Sequence, residues 1–224
     1  MRTGFQRARR PEQMAARRSA ILDIARTMLT EKGVGQISLR ELSDRVGLAK
    51  SNVLRYFDSR EAVFLELLDE ECLSWLEDLE GLLGRPRDRK PNYTNEIRVA
   101  TTVADSLVAR PLLCELLGSM AGVLERNISA EFARDFKSRA MARTLALSGL
   151  VARHLPWLPP GFTDFFAEGA LTLTAGMYPF SVPTDPVRSA MAETGYPDPQ
   201  QRFVDGMRAG LITWLIGAAA RSEP

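Results

Sequence analysis

The sequence predicts an all-α protein with a small basic N-terminal module followed by a larger helical body. Apolar residues recur at steps of three and four through most of the 224 residues. We find no strand-like alternation of useful length and no internal repeat with a period of about 20–50 residues. Because 45% of the residues are hydrophobic, the chain can bury a substantial core.

The first helices lie in the predicted module, residues 17–62. The apolar face of the first helix begins after Arg17. Gly33 is predicted to end this helix, since glycine suits a left-handed C-cap. Ser38 begins the second helix as its N-cap, and Glu41 three residues later completes a capping box. Gly47 ends this helix, which predicts a short element of about two turns.

A third short helix is predicted from about Ala49 to Tyr56, and a fourth begins near Arg60. Asp58 or Ser59 can cap the fourth helix, whose apolar spacing continues for about 25 residues. The fourth helix therefore reaches from the module into the body.

The body, residues 63–224, is predicted to hold further helices beyond a linker rich in Pro and Arg at residues 84–92. Prolines in residues 155–161 and 178–197 separate the later ones, since proline blocks helix continuation. The predicted helices are Tyr93–Ala109, Pro111–Glu125, Ser129–His154, Phe162–Met177 and Pro199–Ala220.

Charge is distributed unevenly along the chain. Residues 1–60 hold 13 Lys and Arg against 6 Asp and Glu, whereas the remainder is mildly acidic. A basic module favours a polyanionic partner, although a solvated basic surface without a partner would give the same count. Residues 1–16 form a basic tail that is either disordered or an arm along nucleic acid. Its arginines are Arg2, Arg7, Arg9 and Arg10.

Several functional classes are disfavoured by what the sequence contains. Cys72 and Cys114 have no metal-ligand or disulfide spacing, so we expect both to be small buried hydrophobes. The single histidine, His154, precedes a Pro-rich break and is expected at the surface or at a helix end. We find no catalytic or cofactor motif, and therefore predict no enzyme, metal or cofactor. With no signal-peptide pattern and apolar runs shorter than about 18 residues, we expect a cytoplasmic protein without a membrane partner.

The informative segment is Ile37–Phe64, which reads ISLRELSDRVGLAKSNVLRYFDSREAVF. Two short helices joined at Gly47 have the layout of a helix-turn-helix. Val53 and Phe57 are expected to be buried, which leaves the polar and aromatic face of the second helix pointing outward. Lysine neutralises phosphates, hydroxyls contact the backbone and asparagine can pair with an adenine edge, so this face suits double-stranded DNA.

Residues 21–67 resemble the DNA-binding domain of the TetR family of regulators. The resemblance rests on Glu31-Lys32-Gly33, on the run SLRELS at residues 38–43 and on GLAKSNVLRYFDSRE at residues 47–61. This chain departs from the family pattern at Leu54, where tyrosine is common, and so lacks one hydroxyl contact.

The resemblance implies a set of DNA contacts on the second and third helices and at the start of the fourth. Ser38 can be a helix cap, a phosphate contact or both, and Arg40 can contact DNA or be a solvated charge. The implied contacts are Ser38, Arg40, Lys50, Ser51, Asn52, Leu54, Tyr56 and Arg60.

The resemblance also implies a homodimer, formed by two C-terminal helices in a four-helix bundle. The candidates are Phe162–Met177 and the strongly apolar Arg202–Ala220, although one face could simply pack within the monomer. The implied dimer contacts are Phe162, Phe166, Leu173, Phe203, Met207, Leu211, Trp214 and Leu215.

The resemblance further implies that the remaining helices bind an unidentified small apolar or amphipathic effector. Aromatic and Met residues at helical spacing are just as consistent with plain core. The candidates are Met120, Leu124, Phe136, Met141, Trp157, Phe165, Phe166, Met177 and Tyr178. The resemblance favours a repressor that binds a palindromic operator and is released by the effector; an activator or a helical adaptor without effector control is the alternative.

Overall fold

A computed structural model describes residues 5–87 and 93–221, with backbone alone for residues 5–10. Every regular element in these ranges is helical, which confirms the all-α prediction. The α-helices are α1 (Phe5–Glu31), α2 (Leu39–Val46), α3 (Lys50–Val53), α4 (Arg60–Leu83), α5 (Thr94–Val108), α6 (Pro111–Met120), α7 (Ala130–His154), α8 (Phe162–Ser181), α9 (Asp185–Glu193) and α10 (Pro199–Ala220).

The chain divides into two compact units. Within the described ranges, the N-terminal unit comprises residues up to 69 together with residues 119–137, and the C-terminal unit comprises residues 70–118 and 138–221. The sequence assigned residues 119–137 to the body, but they cluster with the first helices. Helices α4 and α7 each contribute residues to both units.

The N-terminal unit is built around the predicted apolar face of α1. Ile21, Ala25 and Met28 are at most 2% exposed, and α1 packs on α2, which packs on α3. Val53 and Phe57 are buried as expected. Complete burial of such side chains stabilises a fold by about 1.5–3 kcal/mol each.

Some helix boundaries in the N-terminal unit differ from the predictions. Helix α1 begins at Phe5, so residues 11–16 are helical rather than part of a separate tail. Its first turns are rich in Arg, Gln, Glu, Ala and Met, which favour helix without needing an apolar face. Helix α3 is only four residues long, and residues 54–56 continue as turns. The side chains of Arg2, Arg7, Arg9 and Arg10 lie outside the described residues.

Three predictions in the body were also inexact. Helix α6 ends at Met120 rather than at residue 125. Helix α8 continues through Pro179 to Ser181, and the Pro179 ring packs against Gly118 of α6. Helix α9 was missed because Pro186 and the prolines around it were read as breaks. Pro186 lies in the first turn of α9, where the backbone N–H has no partner within the helix, so its absence costs nothing.

The core of the C-terminal unit is centred on α10, which packs against α5 and α8. Gly210 gives room to Leu173 of α8, and Gly206 to Met177, so these glycines serve contacts within the chain. Among the described residues, α10 is long and apolar enough to cross a membrane by length and composition, but one such helix is weak evidence. A core helix of a soluble protein would also meet this criterion.

Both cysteines and the histidine are buried in the C-terminal unit. Cys72 and Cys114 are 7% and 0% exposed, as expected, and burial raises the pKa of the Cys114 thiol to about 12. His154 ends α7, which confirms a helix-end position, but it is 2% exposed, so a surface position is wrong. Loss of solvation lowers the pKa of its imidazole.

Candidate nucleic-acid interface

Helix α2 begins with the capping box that the sequence predicts. The Ser38 Oγ accepts a hydrogen bond from the Glu41 amide at 3.2 Å, and the Glu41 Oε2 accepts one from the Ser38 amide at 2.8 Å. The Ser38 hydroxyl also donates to the Glu41 carboxylate at 2.9 Å. This exposed hydroxyl is therefore already used locally, and a bond to phosphate would require it to turn away from Glu41.

The Glu41 carboxylate joins the start of α2 to the end of α1. Its Oε1 lies 3.0 Å from the Lys32 Nζ. The hydrogen bond from the Ser38 amide, supported by the one from Lys32, lowers the pKa of Glu41 to about 2. At the other end of α2, the Arg45 guanidinium contacts both carboxylate oxygens of Glu31, at 2.7 and 2.5 Å. The orientation of α2 on α1 is thus held by an ion pair at each end.

We expect Glu41→Gln to reduce the pH dependence of stability. Because the folded pKa lies near 2, below its usual 4.5, the stabilising effect of Glu41 is complete above about pH 4.5 and is lost as the pH falls toward 2. Urea unfolding at pH 7 and pH 3 measures this. The stability difference between wild type and variant should be larger at pH 7; an equal difference at both pH values would contradict it.

A glycine-dependent turn joins α2 to α3. Gly47 has φ 72° and ψ 29°, in the left-handed region that favours glycine, and its amide bonds the Asp44 carbonyl at 3.2 Å. The Leu48 amide bonds the Ser43 carbonyl at 3.0 Å, which completes the end of α2. The turn allows α3 to pack on α2, as the helix-turn-helix prediction requires.

The outward face of α3 and the turn after it is accessible as predicted. Lys50, Ser51 and Asn52 are exposed, and Leu54 is 41% exposed although it is apolar. Tyr56 is half-buried. Together these residues form what we call the recognition face, which presents one cation, two polar side chains, one apolar group and one aromatic hydroxyl.

Arg40 and Arg60 were both predicted to contact DNA, and the structure distinguishes them. The Arg40 side chain is 89% exposed, and its nearest acidic oxygen, on Asp44, is 3.9 Å away. The Arg60 side chain is only 18% exposed, donates to the Ile37 carbonyl at 2.7 Å and pairs with Glu61 at 2.7 Å. Arg60 thus holds α4 to the start of α2, and a phosphate contact would require these bonds to break.

Residues 119–137 supply contacts that the sequence did not reveal. The Asn127 Nδ2 donates to the Glu61 Oε2 at 3.1 Å, and the Ser129 hydroxyl donates to the Asp58 carboxylate. An open cleft of about 1380 Å³ lies beside them, lined by residues that include Lys50, Leu54 and Arg126. These two hydrogen bonds join the α6–α7 connection to Asp58, in the loop after the recognition face, and to Glu61, in the first turn of α4. No local pattern marks such a contact, because its partners lie about seventy residues apart.

Two family models match the chain and together account for most of it. Residues 21–67 match the model described as "Bacterial regulatory proteins, tetR family", which covers the helix-turn-helix. Residues 69–222 match the model described as "Tetracyclin repressor-like, C-terminal domain", which is more than half of the chain. The chain belongs to the TetR family. As a TetR-family protein it is a DNA-binding transcriptional regulator. The recognition face lies within residues 21–67, which the first model matches.

Two curated relatives of this TetR-family chain are named as transcriptional repressors. Rv1474c of Mycobacterium tuberculosis, an HTH-type transcriptional repressor, is 28% identical over 157 residues, which are 63% of this chain and 84% of the relative. KstR2 of Rhodococcus jostii, another such repressor, is 33% identical over 67 residues, 30% of this chain and 31% of its own length. The similarity to KstR2 therefore spans about a third of that protein.

Solved structures share the fold at low sequence identity. A TetR-family regulator from Mesorhizobium loti aligns with a TM-score of 0.56 at 13% identity, over 93% of this chain and 97% of that one. RolR in complex with resorcinol aligns with a TM-score of 0.55 at 16% identity, over 96% of each chain. FadR of Bacillus subtilis in complex with stearoyl-CoA aligns with a TM-score of 0.52 at 12% identity, over 88% of this chain and 98% of that one.

Most of the residues predicted for TetR-like dimerisation are core residues of one chain. They are at most 2% exposed, so their side chains pack inside the chain, and their contribution to a dimer interface stays a prediction. These residues are Phe166, Phe203, Met207, Leu211 and Leu215. Only Phe162, Leu173 and Trp214 are half-buried and reach the surface. The apolar pattern of α10 could not separate the side that packs on α5 and α8 from the remaining side.

The residues predicted for the effector pocket are not gathered within either unit. Met141 and Phe165 are 54% and 58% exposed. Leu124 and Phe136 are core residues of the N-terminal unit, to which half-exposed Met120 also belongs. Spacing along helices gave no information on which unit a residue joins.

The other predicted pocket residues lie in the C-terminal unit, in different surroundings. Phe166 is fully buried, and Tyr178 packs edge-on against Phe203 with ring centroids 5.6 Å apart. Trp157 donates from Nε1 to the Glu96 Oε1 at 2.7 Å. Of the predicted pocket residues, Met177 alone lines a hollow of about 240 Å³ near α9.

Proposed function

We propose that this TetR-family regulator is a repressor that binds a palindromic operator as a dimer in the cytoplasm and is released by a small molecule. The observation that carries this proposal is the exposed recognition face on a rigidly held helix-turn-helix. Lys50, Ser51, Asn52 and Leu54 are exposed and therefore accessible to a partner. The repressor role is supported by the names of the relatives Rv1474c and KstR2.

Base readout is assigned to Asn52 and Leu54 of the recognition face. Asn52 has the amide geometry that pairs with the N6 and N7 atoms of adenine in the major groove. Leu54, which is 41% exposed, offers an apolar contact to a thymine methyl group. Lys50 and Tyr56 suit phosphates, so that they position the helix rather than select a sequence.

Dimerisation is supported by an apolar surface on α8 and α10 that the described part of the chain leaves exposed. Phe165 is 58% exposed, and its ring centroid lies 5.7 Å from that of Phe162 and 6.0 Å from that of Trp214. These rings form what we call the aromatic patch. Beside it, Thr172 and Gly176 on α8 and Thr213 on α10 are small and exposed, which allows close helix approach. Burying the patch against a second copy removes apolar area from water and gives a two-fold reader for a palindrome.

Release by an effector requires that the two units be coupled. Helices α4 and α7 each belong to both units, so a change in the C-terminal unit can move residues of the N-terminal unit through two continuous helices. A coupling free energy of about 1–3 kcal/mol is enough to change operator affinity roughly 5- to 150-fold. The ligands of RolR and FadR, resorcinol and stearoyl-CoA, support an apolar or amphipathic effector. A hollow of about 240 Å³ in the C-terminal unit suits a small one.

Transcription in vitro tests the proposed repression. A sequence enriched by the wild-type chain from a random DNA pool is placed across a promoter, and transcripts are counted with and without the protein. We expect fewer transcripts as protein is added, and recovery on a template in which the two half-sites are scrambled. An increase in transcripts from the intact template would instead indicate an activator and contradict repression.

A further inference from the structure

Helix α1 extends further than its core packing requires. It has 27 residues, and among residues 11–31, whose side chains the structure describes, the first buried one is Ile21. The side chains of residues 11–17 are all exposed. At 1.5 Å per residue, this stretch adds about 10 Å of solvated helix before the first buried residue. Ordering this stretch costs conformational entropy without burying apolar surface, and a partner bound beside it would offset that cost.

The extension forms one wall of an open hollow of about 620 Å³. Tyr56 of the recognition face also lines the hollow. The residues of α1 that line it are Gln13, Met14, Ala16, Arg17 and Ala20. Gln13, Arg17 and Ala20 follow one another at helical steps of four and three, so they share one face of α1. The hollow is therefore continuous with the recognition face.

Arg18 holds this hollow in shape. Its guanidinium carbon lies 4.3 Å from the centroid of the Phe57 ring, and it donates to the Tyr56 carbonyl. It also pairs with Glu66 of α4 at 3.3 Å. These contacts set the register between α1 and the segment after α3.

The hollow offers donors and positive charge. Arg17 is exposed and forms no ion pair among the described residues, while Gln13 one turn earlier is also exposed. Ala16 and Ala20 leave space between them and Tyr56. A guanidinium with neighbouring amide and phenol donors is the set that binds phosphate oxygens. An acidic protein segment could meet the same charge, but the hollow adjoins the face that reads DNA.

We infer that this hollow receives a backbone phosphate of the operator outside the base pairs read by α3, with Arg17 as the charged contact and Gln13 beside it. The inference rests on the proposed binding of an operator through the recognition face. Each protomer would then contact DNA beyond the base pairs that the helix-turn-helix reads. Arg17 would raise the affinity for DNA without selecting a sequence.

Salt titration of operator binding tests this inference with the full chain. The probes are the enriched duplex with about ten base pairs of flank on each side and the same duplex without flanks. On the flanked duplex, Arg17→Ala should lower affinity about ten-fold and reduce the slope of log K against log salt by about 0.9 for each Arg17 that contacts a phosphate. Gln13→Arg should raise affinity and steepen the slope. Arg188→Ala, which removes an exposed arginine from α9, serves as the matched control and should change neither.

The unflanked duplex separates the phosphate contact from a general charge effect. If the contact is to the flank, removal of the flanks should lower the affinity of the wild type. On the unflanked duplex, Arg17→Ala should then cause no further loss of affinity. The inference is overturned if Arg17→Ala and Gln13→Arg match the wild type on the flanked duplex while the wild type binds it normally. A wild-type chain that enriched no duplex would overturn the proposed operator binding itself, and with it this inference.

Discussion

Asn52→Ala is expected to abolish discrimination at one base pair of each half-site. A bidentate contact to adenine contributes about 1–3 kcal/mol of discrimination, and a dimer makes it twice, so affinity for the enriched operator should fall at least 30-fold. The variant should fold normally, because Asn52 is exposed and its backbone amide still bonds the Ala49 carbonyl at 2.8 Å. Electrophoretic mobility shifts on the operator and on single-base-pair variants of it measure the change.

The salt dependence shows whether Asn52 reads a base. Loss of a base contact should leave the slope of log K against log salt unchanged, whereas Lys50→Ala should reduce it by about 0.9 per phosphate contact. Gln36→Ala removes an exposed amide from the same unit, outside the recognition face, and should leave affinity unaltered. If Asn52→Ala weakened binding to operator and random DNA equally, Asn52 would be a positioning contact rather than a reader.

Phe165→Asp is expected to dissociate the dimer. Aromatic residues at the centre of an interface commonly contribute 2 kcal/mol or more, and a charge buried without a partner adds a further cost, so the dimer dissociation constant should rise at least about 30-fold. The substitution should leave the monomer folded, because Phe165 is 58% exposed. Operator affinity should fall with it, since a monomer contacts a single half-site.

Sedimentation velocity over a range of protein concentrations measures the effect of Phe165→Asp. Met141→Asp is the matched control, because Met141 is an apolar side chain of similar exposure, 54%, on α7. The control should sediment as the wild type does. A Phe165→Asp variant that remained dimeric at the same concentrations would place the interface away from the aromatic patch.

Local chemistry allowed the helix-turn-helix to be predicted in detail. The capping box at Ser38, the left-handed glycine at residue 47 and the buried pair Val53 and Phe57 depend on neighbours within a few residues. For the same reason α10 has the predicted bounds, with Asp198 as an N-cap that accepts hydrogen bonds from the amides of residues 200 and 201. Signals of this kind are complete within a short stretch of sequence.

Features that depend on distant partners could not be predicted in this way. The sequence shows that Arg60 is basic, but it does not show that its guanidinium is bound by the Ile37 carbonyl and the Glu61 carboxylate. It marks α10 as apolar on several sides but not which side α5 and α8 cover, so five core residues were assigned to a dimer. Prolines carry a similar ambiguity. Pro186 lies in the first turn of a helix and Pro179 lies within another, whereas both were read as breaks.

Selection from a random DNA pool, followed by salt titration of the enriched duplex, tests the central claim most directly. We predict a palindrome whose half-sites are spaced for a two-fold dimer, with log K falling steeply and linearly against log salt because several phosphates are contacted. Exposed Lys50, Ser51 and Asn52 give the geometric reason to expect sequence preference. Enrichment of no sequence, with weak binding at low salt alone, would contradict operator recognition and favour a helical adaptor.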